Sequence, residues 1–302
     1  MSQAAYLAQQ ALNTCQIALL YALIALAYVL FHGVTNRFNL AFGALVTWGS
    51  YLALAAFSGG LSRRGVPDIA LAALAIAIAV AGAAALGHGV GRTLRPLLVA
   101  PPLAILVATL GWGIALEEAA RISAGSRELW LRPLLGGPAV SFAVGAAPMR
   151  ITLMQGLVWA AAALAIAATL VSMRLSAFGR AWRAVSQDAR MAALVGVDIG
   201  RVYAVTVLFA SALAGTAGAL AGLAYGNASF HGALIVATKA LFVAILGGLH
   251  SPAGAILGAL LLAAMESLWS AYLPGDWRDV AVFVVLAALV VHRPRRSSAD
   301  RV

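Results

Sequence analysis

Nine apolar runs separated by short polar islands decide what this chain can fold into. Residues 12–30, 40–57, 69–86, 103–117, 151–170, 203–223, 233–247, 253–273 and 280–291 carry almost no charge. About 20 apolar residues are needed to cross the hydrocarbon of a bilayer as a helix. The fourth and ninth runs are short, so one of them could be broken or re-entrant, and the count is eight to ten spans. With 63% hydrophobic and only 10% charged residues, no ordinary soluble domain is compatible with this composition. The expectation is an all-α, polytopic membrane protein, with residues 1–302 forming a single transmembrane domain.

Charge placement orients it. A formal net charge of +10 would suggest nucleic acid in a soluble chain. Here the arginines lie mostly between spans and at the C-terminus, where they set membrane orientation, and no nucleic-acid partner is implied. The densest island is Arg174 to Arg201, with five arginines and two aspartates. Placing it in the cytoplasm also brings Arg37, Arg92, Arg95, Arg293, Arg295, Arg296 and Arg301 inside. Arg63, Arg64, Arg121, Arg127, Arg132, Arg150 and Arg278 fall outside. The C-terminus is then cytoplasmic and the N-terminus outside. The first 36 residues hold no Lys or Arg, so 12–30 reads as a retained span and not as a signal peptide. Cys15 is the only cysteine and can form no intrachain disulfide.

The basic island is patterned. Trp182, Val185, Ala189 and Ala192 share one helical face, while Arg183, Gln187 and Arg190 share another. Gly196 can end that helix in a left-handed conformation, and Asp198 can N-cap the helix that follows. The reading is one short amphipathic helix held between two spans.

A family resemblance follows from these residues. Gly179-Arg180-Ala181, Gln187-Asp188, Met191-Ala192, Leu194 and Gly196-Val197 resemble the cytoplasmic coupling segment of branched-chain amino acid ABC transporter permeases. The pattern continues through Tyr225-Gly226, Lys239-Ala240, Leu246-Gly247-Gly248, Ser251-x-x-Gly254-Ala255 and Glu266 to Leu273. Near the N-terminus, Asn39-Leu-Ala-Phe-Gly43 resembles the family's Asn-x-Ala-x-Gly element, with Phe42 and Ala44 where the family often has His and Glu. The resemblance implies an ABC importer permease architecture in the bacterial inner membrane. It implies three kinds of protein partner: cytoplasmic ATPase subunits, a second permease subunit (identical or homologous) and a periplasmic substrate-binding protein. ATP would be used by those partners, and this chain would bind no cofactor. Gly179, Arg180, Arg183, Gln187, Asp188, Ala192, Ala193 and Gly196 would couple the chain to the ATPase. The substrate would be a branched-chain amino acid or a similar small polar solute, with urea and short-amide permeases as close relatives.

Several polar residues at membrane depth are candidates for the solute pathway. Asn36 and Asn39 stand either in a plain polar connection or in an unwound helix whose backbone lines a cavity. Thr109, Glu117, Lys239 and Glu266 lie within the spans, where an ionisable group is costly unless paired or hydrated. Lys239 and Glu266 fall at equal depth, about 10 Å below the outer ends of two consecutive antiparallel helices, and should form an ion pair. The same charges would serve the alternative reading, an ion-coupled secondary transporter, which would be expected to show inverted repeats. None is visible in the sequence. No phosphate-cradling Gly-x-x-x-x-Gly-Lys run, no nucleophile elbow and no metal-ligand spacing occurs, so nothing points to an enzyme or a metal site. Residues 123–150 read as the longest outer loop.

Overall fold

The computed structural model describes residues 3–58, 67–131, 138–144 and 147–292. The arginines at 63, 64 and 132 and those of the C-terminal tail lie outside them. The described chain is a helical bundle: α1 (Gln3–Thr35), α2 (Phe42–Ala56), α3 (Asp68–Leu94), α4 (Pro102–Ser123), α5 (Leu153–Leu175), α6 (Ala177–Gln187), α7 (Ala189–Leu194), α8 (Ile199–Tyr225), α9 (Ala233–Gly247), α10 (Pro252–Tyr272) and α11 (Arg278–His292).

Six of these helices, α1, α3, α4, α5, α8 and α10, are long and apolar enough to cross a membrane. α2, α9 and α11 have 15 residues each, about 22 Å, and are too short to cross the hydrocarbon unaided. Among the described residues the nine apolar runs of the sequence thus appear as six long helices and three short ones. Some helices also extend beyond those runs. The third helix extends from Asp68 to Leu94, and the fourth continues past Glu117 to Ser123.

Burial separates the centre from the rim. The apolar windows of α1 and α8 are 78% and 61% buried, against 28% for α3, 22% for α4 and 28% for α5. α3 is the most hydropathic of all and yet faces outward, so its solvent is lipid rather than water. At the centre, small residues bring backbones together. Ala210, Ala214, Gly218 and Gly222, at four-residue spacing on α8, are all buried. A Cβ at Gly218 would overlap the Val46 carbonyl of α2. At that crossing the Ser50 hydroxyl donates to the Gly218 carbonyl at 2.7 Å. Two further side chains tie helix to helix: Tyr203 Oη donates to the Gly91 carbonyl (2.9 Å) and Trp48 Nε1 to the Leu116 carbonyl (2.8 Å). We expect Gly218→Leu to wedge α2 from α8 and break the Ser50 bond, costing about 1–3 kcal/mol. Thermal unfolding of the purified protein in detergent would register this, and an unchanged midpoint would contradict the close-packed crossing.

The segment expected as a plain outer loop contains strands. β2 (Pro138–Val144) and β3 (Ala147–Thr152) form an antiparallel hairpin. β1 (Leu129–Trp130) pairs with β4 (Asn227–Ala228), tying this segment to the end of α8. β3 runs directly into α5 through Thr152, whose side chain and that of Gln155 form a reciprocal capping box.

Candidate functional site

The basic island folds as two helices, not one. Asp188 is extended (φ −152°, ψ 106°) and separates α6 from α7. Its Oδ1 accepts from the backbone amides of Arg190 and Met191 at 2.8 and 3.0 Å, so Asp188 N-caps α7. This is the physical reason the single-helix reading fails: an aspartate in mid-run offers the backbone a better partner as a cap than as a helical residue. The other two local expectations hold. Gly196 has φ +89°, and Asp198 Oδ1 accepts from the Arg201 amide at 3.0 Å to start α8.

What positions this pair of helices is long-range. Trp182 is buried, and its indole Nε1 donates to the Leu30 carbonyl of α1 at 2.9 Å. Its ring lies against Gly33, where any Cβ would overlap it. At the start of α6, Ser176 accepts from the Gly179 amide at 3.0 Å. Gly179 lies so close to the Met173 carbonyl that a Cβ would overlap it. The guanidinium of Arg183 donates to that same carbonyl, and Arg180 donates to the Leu175 carbonyl at 3.1 Å. Val185 and Ala192 pack with Val202 of α8 in a separate small core, flanked by Val34. The inner face of α6–α7 is therefore fixed to α1, α5 and α8. The outer face is free: Gln187, Asp188, Arg190, Met191, Ala193, Leu194 and Val195 are exposed. Leu194 and Val195 are 80% and 78% exposed, a large apolar surface for a segment so rich in charge.

Beside this unit is a cavity of about 800 Å³. Asn36, Arg174, Trp182, Arg183, Gln187 and His250 are among its lining residues. Asn36, in the left-handed region (φ 49°) at the break between α1 and α2, is among the residues at its edge. Asn39 and Thr109 are used differently. Both are buried, and both serve the backbone: Asn39 Oδ1 accepts from the Ala41 amide at 3.0 Å and Thr109 Oγ1 from the Leu40 amide at 3.3 Å. They satisfy amides ahead of α2 that lipid could not.

The buried charges form a third cluster. Lys239 Nζ lies 2.5 Å from Glu266 Oε1 and 2.8 Å from Asp279 Oδ1. Tyr21 of α1 donates to Glu266 Oε2 at 2.9 Å, and Arg278 lies 3.3 Å from Asp279. The expected Lys239–Glu266 pair is present, within a network that reaches α1 and α11. Sequence reasoning missed Tyr21 and Asp279. Glu117 is half-buried within α4, and its neighbour Glu118 pairs with Arg121 one turn later.

The chain matches the family described as branched-chain amino acid transport system / permease component over residues 10–290. It is 32% identical to the high-affinity branched-chain amino acid transport system permease protein LivH of Salmonella typhimurium, over 96% of this chain and 94% of that protein. The same figures hold for LivH of Escherichia coli. Identity to BraD of Pseudomonas aeruginosa, described in the same words, is 31% over 95% of this chain and 94% of that one. This chain is a member of the branched-chain amino acid transport permease family. No solved structure matches it significantly.

Phe42, at the family element where His is frequent, is fully buried and makes edge contacts with Tyr28 and Phe31 at ring separations of 5.2 and 5.8 Å. In this permease that position joins α2 to α1 by packing and carries no polar group toward a solute.

Proposed function

We propose that this permease is the membrane subunit of a bacterial ABC importer for a branched-chain amino acid or a similar small polar solute, driven by separate cytoplasmic ATPase subunits. The observation that carries the reading is the two-sided α6–α7 unit. One side is anchored to α1, α5 and α8 through Trp182, Gly179 and Val185, and the other is an exposed surface mixing Leu194 and Val195 with Arg190 and Asp188. A protein partner gripping that surface can transmit movement to the spans, because the inner side does not slide freely on them. The family relatives are named for branched-chain amino acid transport, which supports the solute class. The second permease subunit, the periplasmic binding protein, the inner-membrane location and the cytoplasmic C-terminus belong to the same proposal.

Asp188→Arg and Gly196→Val should leave the protein inserted while lowering ATPase co-purification and uptake by at least about tenfold. The first removes the α7 cap and reverses a charge on the exposed face, and the second forces a β-branched residue to φ +89°. Wild-type co-purification and uptake in both variants would remove the coupling role. Sidedness has its own test. On a Cys15→Ala background, cysteine at Ser186 should be labelled only from the cytoplasm and cysteine at Ser141 only from outside. Labelling of both from one face would refute the crossing of α5.

A further inference from the structure

The cavity beside α6, whose lining shares Arg183 and Gln187 with the expected coupling residues, has a chemical character of its own. Among the described residues its lining includes Arg174 and Arg183 and no acidic residue. Among the described residues Arg174 makes no hydrogen bond and no ion pair, and Arg183 donates only to the Met173 carbonyl. Two guanidinium groups thus face one cavity with no counter-charge among the described residues. Asn36, Ser186 and His250 add further hydrogen-bonding groups around them.

The second observation is on α5. Its exposed residues Ala163, Leu164, Ala167, Ala168 and Val171 form one continuous stripe, and that stripe ends at Arg174. Leu164 and Val171 are 72% and 54% exposed. An apolar strip along the C-terminal half of a membrane helix, leading into a basic cavity, has the polarity of a phospholipid: acyl chain along the stripe, anionic headgroup in the cavity. Basic pockets at the cytoplasmic ends of membrane helices attract anionic headgroups in this way.

We propose that this cavity binds the headgroup of an anionic phospholipid, with Arg174 and Arg183 as its phosphate contacts. The lipid then bridges the end of α5 to α6, the element that carries the exposed coupling surface. Charge complementarity favours a lipid over a neutral partner helix on this face, since a second permease copy would have to bring acidic side chains to Arg174. Binding itself requires only the membrane location. The assignment to the cytoplasmic leaflet rests on the importer reading.

Native mass spectrometry of the purified permease in detergent tests this without any transport assay. With phosphatidylglycerol and phosphatidylcholine supplied in equal amounts, the first lipid adduct should favour phosphatidylglycerol. Arg174→Gln should weaken that preference about fivefold, as expected for one arginine at the membrane surface. Arg174 holds no structural partner, so this variant is expected to keep wild-type yield and thermal stability. Arg121→Gln, on the opposite side of the membrane and paired with Glu118, serves as the control and should leave the preference unchanged. Equal adducts for the two lipids, or an Arg174→Gln variant with undiminished preference, would overturn the proposal. Displacement of the adduct by millimolar inorganic phosphate would overturn the lipid assignment in favour of a soluble anion. A purified complex in which a second permease chain cross-links to cysteine at Val171 would overturn it in favour of a protein interface.

Discussion

Lys239→Ala is expected to lower the amount of folded protein more than any other single change in the bundle. The lysine is 4% exposed and faces two carboxylates, Glu266 and Asp279. Removing it strands Glu266, itself 5% exposed, with the Tyr21 hydroxyl as its one remaining partner among the described residues. Breaking a buried pair from one side costs about 3–5 kcal/mol, because the remaining charge is uncompensated. Glu266→Ala should cost less, since Lys239 keeps Asp279, which is half-exposed and therefore hydrated. This asymmetry could not be predicted from the pair alone. Lys239→Met combined with Glu266→Leu should recover most of the loss, as apolar replacements of a buried pair usually do. Yield of monodisperse protein in detergent, with its thermal midpoint, measures all three. A double variant as poor as the sum of the singles would show that the two residues are not energetic partners.

The second large effect belongs to Trp182. Trp182→Ala should leave the spans inserted but detach α6 from α1, cutting uptake by at least about tenfold. Truncating a buried tryptophan costs about 3–5 kcal/mol, and here it also removes the bond to the Leu30 carbonyl. The partner side gives an independent check. Gly33→Ala should impair uptake because its methyl group meets the indole, and Trp182→Phe in the same protein should restore much of it by withdrawing the atoms that collide. If Gly33→Ala transports normally, α6 is not seated on α1 as described.

Much of this arrangement is readable from the chain because its causes are local. Gly196 and Asp198 mark a helix stop and a helix start through their own backbone chemistry. The Ala210-to-Gly222 stripe follows from four-residue spacing, and the Lys239–Glu266 pair follows from depth along two consecutive helices. The unread parts depend on residues far apart in sequence. Nothing near Trp182 says that its indole will reach Leu30, 152 positions away. Tyr21 and Asp279 join the buried charges only because α1 and α11 happen to flank α9 and α10. Asn39 and Thr109 stand out in the sequence as polar atoms at membrane depth, and the fold adds that they accept from amides ahead of α2. Asp188 was locally readable as a cap, but the continuous helical pattern around it argued the other way.

The claim on which the rest depends is that ATP hydrolysis by partner subunits, delivered through α6–α7, drives the spans. Reconstitution of the permease with its ATPases into proteoliposomes, with binding protein and labelled leucine outside, tests it directly. Uptake should require ATP inside the vesicles, should survive a protonophore, and should be lost in Trp182→Ala. Uptake that proceeds without ATP and collapses when the pH gradient is dissipated would contradict the account and favour an ion-coupled carrier built around Lys239 and Glu266.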